Sequence, residues 1–155
     1  MPPNGPRDPD FERRVRDSFA KQLVMATLGA SLSRVAPGEV DVELPFRADL
    51  TQQHGFLHAG IVATVVDSAC GYAALSLMEP VTGVLSVEFK VNLLAPAKGA
   101  RFVASGRVVR AGRTVTVVSG ELRAFDSADA PSEGTVVAIM TGTMMTVRDR
   151  PGLSD

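Results

Sequence analysis

The sequence predicts an α+β domain in which a long, curved antiparallel sheet wraps one central helix. Three observations lead there. The apolar run from His58 to Met78 is too long for an ordinary strand and is rich in Ala and Leu. Four β-branched segments follow it with no further helical pattern, and a shorter stretch of period two precedes it. The order helix, two strands, long helix, four strands fits a sheet able to cover one helix.

Each element has its own signal. A leader of Pro, Gly and charge, residues 1–10, is expected to be flexible, and residues 11–150 to form a single domain. Asp8 or Asp10 can cap a short N-terminal helix, with Pro9 suited to a first turn. Phe11, Val15, Phe19 and Leu23 recur every four residues as one apolar stripe, and Gly29 is expected to end the helix. From Ala30 to Phe46 the period falls to two: Val40, Val42 and Leu44 alternate with Asp41, Glu43 and Pro45, and Pro37-Gly38 marks a turn between two strands. Arg47 to His54 reads as a polar loop. The central helix is expected to start near Ala59-Gly60, to end before Pro80 and to be buried almost all round, because apolar residues lie on nearly every face. Val84–Leu94, Arg101–Arg110, Thr114–Phe125 and Thr135–Val147 are the later strands. The turns between them are Lys98-Gly99, Ala111-Gly112-Arg113 and an acidic tip from Ser127 to Gly134 that includes Pro131.

Composition narrows the function. Of 155 residues, 45% are hydrophobic and 21% charged, which is a globular rather than a disordered balance. The net charge of −1 gives no reason to expect nucleic acid or a membrane surface as partner. Asp67 interrupts the longest apolar run near its middle, which argues against a membrane span. The N-terminus lacks the apolar core of a signal peptide, so a cytoplasmic location is expected. One cysteine, Cys70, excludes an intrachain disulfide and a zinc site built on Cys pairs. His54 and His58 are the only histidines, too few for a converging ligand set, so no metal is expected.

Asp67 is the residue that needs an explanation. Burying a carboxylate in a core helix costs several kcal/mol unless hydrogen bonds or a cleft compensate (roughly, from transfer data). A structural network would serve, and so would a reactive site. Upstream, Gln52, Gln53, His54, Gly55 and His58 crowd into the loop before the helix. Ala59 and Gly60 are small residues in its first turn, where backbone N–H groups lack internal partners. A ligand oxygen can approach there, and the helix dipole favours developing negative charge.

The run Gln52-Gln-His-Gly55-Phe-Leu-His58-Ala-Gly60, followed by Asp67, resembles the N/Q-x-x-G-x-x-H-G-G…D/E signature of hot-dog-fold thioesterases, most closely the PaaI-like and 4-hydroxybenzoyl-CoA thioesterase branch. Ser86-Val-Glu-Phe-Lys-Val-Asn92-Leu-Leu-Ala-Pro96-Ala and Arg110-Ala-Gly112-Arg113-Thr114 resemble later segments of the same family. The resemblance spans roughly residues 40 to 147, and it departs at Ala59, where the family has glycine.

The resemblance implies an acyl-CoA thioesterase that needs no cofactor, coenzyme A being part of the substrate. Asp67 would attack the thioester or activate water, and Gln52 would orient the water or the carboxylate. The Ala59 and Gly60 amides would polarise the carbonyl, His58 would fix the loop, and Ser86 would assist the water. Arg110 and Arg113 are candidates for the CoA phosphates; Lys98, Arg101, Arg107 and most of the other basic residues read as a solvated sheet edge. Phe56, Leu57, Val62, Tyr72 and Leu75 are expected to line an apolar acyl pocket suited to aryl, phenylacetyl or medium-chain groups. The family also implies a homodimer or homotetramer with sites between subunits. A hot-dog hydratase acting on enoyl- or hydroxyacyl-thioesters and a non-catalytic acyl-CoA-binding module are the alternatives. The hydratase lacks its paired His and acidic motif here.

Overall fold

The computed structural model describes residues 5–129 and 133–155; part of the acidic tip, including Pro131, lies outside them. The chain runs α1 (Phe11–Lys21), α2 (Leu23–Leu28), β1 (Ser31–Ala36), β2 (Glu39–Pro45), a 3-10 turn (Ala48–Leu50), α3 (Ala59–Leu75), β3 (Gly83–Leu93), β4 (Arg101–Ala111), β5 (Val115–Phe125) and β6 (Thr135–Val147). The six strands form one antiparallel sheet in the order β1-β2-β4-β5-β6-β3. α3 leaves the β2 side of the sheet and delivers the chain to β3 at the opposite edge. Register shifts at Leu32/Arg34, Ser86/Glu88, Val108/Arg110 and Leu122/Arg123 mark bulges, which increase strand twist and let the sheet curl round the helix.

The core lies between α3 and the inner face of that sheet. Val40, Val42 and Leu44 of β2 are fully buried, as the period-two pattern requires, and meet Val62, Val65, Val66 and Ala69 of α3. Gly106 and Gly120 face one another across β4 and β5 directly beneath α3. A Cβ on Gly106 would lie 2.3 Å from the carbonyl oxygen of Ala69, and one on Gly120 would lie 2.7 Å from Cys70 Sγ. The two glycines therefore open a notch that seats the helix directly on the sheet backbone. Apart from Gly71, the C-terminal half of α3 is buried, but its first turn, Ala59 and Gly60, is exposed. At its other end, the buried Ser76 Oγ donates to Ala73 O (2.7 Å) and accepts from Gly38 N–H (2.8 Å), tying the helix to the β1–β2 turn.

Two expectations need correction. The N-terminal helix breaks at Gln22, whose extended backbone (φ −79°, ψ 92°) separates α1 from α2. The break turns Met25 and Leu28 into the core and leaves Leu23, expected on the apolar stripe, 78% exposed. β4 is an interior strand, so its basic residues do not guard an edge. Arg107 pairs with Asp41 on β2 (3.0 Å), and Arg101 stacks 4.0 Å from the Phe125 ring centroid. Met140 and Met144 fill the core, but Met145 on the same strand faces outward. Ahead of α1, Asp8 is buried and pairs with Arg14 (3.2 Å). The Arg14 guanidinium then donates to the carbonyls of Glu79 and Thr82 (2.9 and 3.1 Å) and so pins α1 over the α3–β3 turn.

The notch makes a stability prediction. Gly106→Ala forces its methyl group into backbone that cannot rotate away, so it should lower unfolding free energy by about 1–3 kcal/mol. Gly71→Ala, within α3 and with open space at its Cβ, should be neutral or stabilising by up to about 1 kcal/mol from helix propensity. Urea unfolding of the two variants beside the parent chain checks the contrast.

Candidate active site

The helix start and the carboxylate occupy different parts of the chain's surface. The loop before α3 is held by backbone: Leu57 N–H donates to Ala97 O (3.1 Å), His58 N–H to Leu50 O (3.0 Å) and Gln52 N–H to Phe56 O (2.8 Å). The Gln52 side-chain oxygen accepts from the backbone N–H groups of His54 and Phe56, so it braces the loop, and its amide nitrogen remains available to the cleft. Gln52 and Ala59 line one cleft of about 410 Å³ with Phe56, Leu57, Val62 and the β3–β4 connection at Leu94 and Pro96.

His58 is the N-cap of α3. Its Nδ1 accepts from Gly60 N–H (2.8 Å), and Ile61 and Val62 N–H donate to its backbone oxygen. Of the two expected carbonyl-polarising amides, Gly60 is therefore engaged by the imidazole. Ala59 N–H has no partner among the described residues, and Ala59 lines the cleft.

Asp67 sits two turns further along α3, half-buried, in a separate chamber of about 110 Å³ that it shares with Ser86 of β3. Ser86 Oγ–H donates to Asp67 Oδ1 at 2.7 Å. Burial pushes the Asp67 carboxyl above the ordinary carboxylate range, and the Ser86 hydrogen bond opposes part of that rise. Such a carboxylate is more basic than an exposed one, which in its ionised form suits proton abstraction or nucleophilic attack. One turn on, Cys70 is buried and its thiol is pushed up to about 12, first by burial and then by Asp67, so it is inert.

The expected apolar pocket is divided. Phe56, Leu57 and Val62 line the cleft at the helix start, Tyr72 lines the Asp67 chamber, and Leu75 is core. Arg110 and Arg113 are exposed at the β4–β5 turn, at the C-terminal end of α3 and away from Ala59. The sequence reading missed Gln22 and Asp155, which also line the Asp67 chamber. Gln22 carries no sequence signal beyond a polar residue in an apolar helical pattern, and Asp155 carries none. Among the described residues no three His, Cys, Asp or Glu side chains gather as metal ligands, and no helix is long and apolar enough to cross a membrane.

Comparison with known proteins agrees with this architecture. The family model described as the thioesterase superfamily matches residues 54–130. A candidate esterase of Halobacterium salinarum is 36% identical over 132 residues, covering 81% of this chain and 85% of that protein. Human acyl-coenzyme A thioesterase 13 is 33% identical over 93 residues, 59% of this chain and 66% of the relative. Among solved structures, a thioesterase family protein of Silicibacter pomeroyi is 54% identical with a TM-score of 0.83, covering 88% of this chain and 98% of that one. The PaaI protein of Escherichia coli shares the fold at 16% identity and a TM-score of 0.79, with 90% and 94% of the two chains covered.

Two outcomes test the electrostatics of Asp67. If the ionised carboxylate is the working form, kcat/KM should fall on the acid side with a midpoint above the ordinary carboxylate range. Ser86→Ala removes the hydrogen bond that lowers this pKa, so the acid limb should move to higher pH. The raised pKa also means that the charged form weakens the fold, and this group adds stability as pH falls through its folded pKa. Asp67→Asn should therefore leave the thermal midpoint at neutral pH unchanged or higher, which scanning calorimetry can read.

Proposed function

The chain belongs to the thioesterase superfamily and is a thioester hydrolase of the hot-dog fold; from that premise we propose that it cleaves acyl-CoA at sites shared by two copies of the chain. Asp67 and Ser86 come from one copy, and Gln52 and Ala59 from the other. The observation that carries this reading is the Asp67–Ser86 pair, a half-buried carboxylate of raised basicity that opens on a chamber.

Geometry supports the sharing. Asp67 lies seven residues after Gly60 on an unbroken helix, which at about 1.5 Å rise per residue separates them by roughly 10 Å along the axis. A thioester carbon within reach of Asp67 is then too far from the free amide at the helix start of the same chain. The edge strand β3 supplies a way to bring the halves together. It is 11 residues long, has no neighbouring strand on its outer side among the described residues (Val84 N–H there donates to Asp155) and exposes Leu85, Val87, Phe89 and Leu93. Such an edge favours pairing with a second copy about a two-fold axis. Antiparallel pairing sets the Gly83 end of one β3, beside Ser86, against the Leu93 end of the other, beside the Gln52–Ala59 cleft. It also brings the β4–β5 turn of one copy toward that cleft. Thr146 N–H donates to Thr114 O, and Val147 pairs with Gly83, so Arg113 sits at the same end of the sheet. Arg110 and Arg113 are then placed for the CoA phosphates, where a guanidinium binds well.

In the reaction, ionised Asp67 either attacks the thioester carbon or takes a proton from the water that does. Ser86 holds the carboxylate in one orientation. The charge that develops on the carbonyl oxygen meets the Ala59 N–H at the positive end of α3. With water as nucleophile, collapse expels the CoA thiolate, which takes up the proton that Asp67 had accepted, and leaves the free acid. With Asp67 as nucleophile, collapse leaves an acyl–Asp67 anhydride, and water then cleaves it to the free acid and the Asp67 carboxylate, the released proton going to the thiolate. Gln52 orients the water through its free amide. The acyl partner in this reading is an aryl-, phenylacetyl- or medium-chain group.

Ala59→Pro isolates the amide. Ala59 is the first helical residue and His58 before it is extended (ψ 139°), so proline fits without strain and deletes only the N–H. Thiol release from acyl-CoA should drop by about 10²–10³ in kcat with folding intact. Asp67→Asn should abolish it. Mixing the two variants after co-refolding should restore part of the activity, because one site of each mixed pair is then wild type. No recovery from mixed pairs, with each variant still dimeric, would assign both residues to one chain's site.

A further inference from the structure

Arg113 is placed by contacts from outside its own hairpin. The β4–β5 turn closes on itself through Gly112 N–H, which donates to Val115 O (3.0 Å). A Cβ on Gly112 would lie 2.3 Å from that oxygen, so the turn requires glycine there. This bond shapes the tip without fixing it against the rest of the chain. Two others do that. Thr146 N–H on β6 donates to Thr114 O (2.8 Å), and Arg148, one residue past β6, donates through Nη2 to Arg113 O (2.7 Å).

The Arg148 guanidinium is itself held in place. Its Nε and Nη2 donate to Glu79 Oε2 (3.2 Å each), while Arg7 donates to Glu79 Oε1 (3.3 Å). Glu79 belongs to the α3–β3 connection, where Arg14 of α1 also holds its backbone carbonyl (2.9 Å). A line of contacts thus runs from α1 through Glu79 and Arg148 to the backbone of Arg113.

Charge is sorted along the same line. Arg101, Arg107 and Arg123 of β4 and β5 each pair with a carboxylate. Arg110 and Arg113, exposed at the turn joining those strands, have no acidic partner among the described residues. Glu79 lines one small pocket with Arg113, but both of its oxygens are taken by Arg7 and Arg148. Arg148 is only 27% exposed and spends two of its three nitrogens on Glu79 and the Arg113 carbonyl, so it holds the turn and leaves Arg113 free for an anion.

We propose that Arg148, anchored on Glu79, is a positioning residue for recognition of the CoA phosphates and acts through Arg113. The proposal rests on the reading that Arg113 meets those phosphates.

The test compares one acyl group on two carriers, CoA and pantetheine, which keeps the thioester arm and lacks every phosphate. The acyl group is octanoyl or phenylacetyl, whichever wild type turns over faster. The readout is the ratio of kcat/KM for the CoA ester to that for the pantetheine ester. Arg113→Ala should lower this ratio by about ten-fold, the size of one charge-assisted hydrogen bond. Arg148→Gln should lower it comparably, through KM rather than kcat. Arg148→Lys keeps the charge and loses the fork, so it should fall with Arg148→Gln. In the Arg113→Ala background, Arg148→Gln should cost nothing more, because both changes remove the same contact. Partly exposed ion pairs contribute little to folding, so the variants should fold. A wild-type ratio in Arg148→Gln, or equal losses on both esters, overturns the proposal. Additive losses in the double variant, or full function in Arg148→Lys, also overturn it, because Arg148 would then be meeting phosphate directly. A wild-type ratio in Arg113→Ala instead removes the underlying reading of Arg113.

Discussion

The close seating of α3 on the Gly106–Gly120 notch is the constraint on which the rest of the structure depends. With side chains at those two positions, the helix would stand off the sheet and its Ala69–Cys70 segment would lose its contact with β4 and β5. Seated, the helix buries Val65, Val66, Ala69 and Cys70 completely and fixes which side of α3 turns toward β3. Asp67 lies between those buried positions. Its half-buried state is thus a by-product of how tightly its neighbours are packed, and its raised pKa follows from the packing. A looser helix would hydrate the carboxylate and return it to ordinary acidity.

Ser86 limits that effect. Without that partner, burial at this depth would raise the carboxyl further. The single hydroxyl donor keeps the ionised form accessible without neutralising its basicity. Cys70, one turn away, shows the other outcome: burial plus the nearby Asp67 charge suppresses the thiol altogether. The same helix therefore carries one carboxyl made more basic and one thiol kept protonated, and depth and hydrogen bonding make the difference.

The helix also divides the work between its two ends. Its first turn offers a free amide at Ala59, and His58 occupies the next one, so the cap both ends the preceding loop and limits how many donors face the cleft. The carboxylate stands two turns away because a closer position would lie in the exposed first turn, where its basicity would not be raised. In the proposed dimer, pairing of the apolar edge strand β3 would join what the helix keeps apart. Residues with no apparent bearing on the site, such as Gln22 at the α1–α2 break and Asp155 near β3, enter its chamber only through packing.

Much of this was legible in the sequence. The four later strands and α3 fall within a few residues of where β-branched periodicity, Pro80 and the small residues at Ala59-Gly60 place them, because those signals are local: side-chain shape and backbone freedom act within a turn or a strand. Asp67 stood out for the same reason, a charge inside an apolar helix. The sequence by itself therefore determined the element order, the central helix and the residue in most need of a chemical role. Tertiary structure alone decided that the N-terminal helix breaks at Gln22, that β4 is interior, that Gly60 N–H is held by His58 and that the polar and apolar pockets are separate. Each of these depends on groups distant in sequence meeting in space, and no local pattern encodes such a meeting.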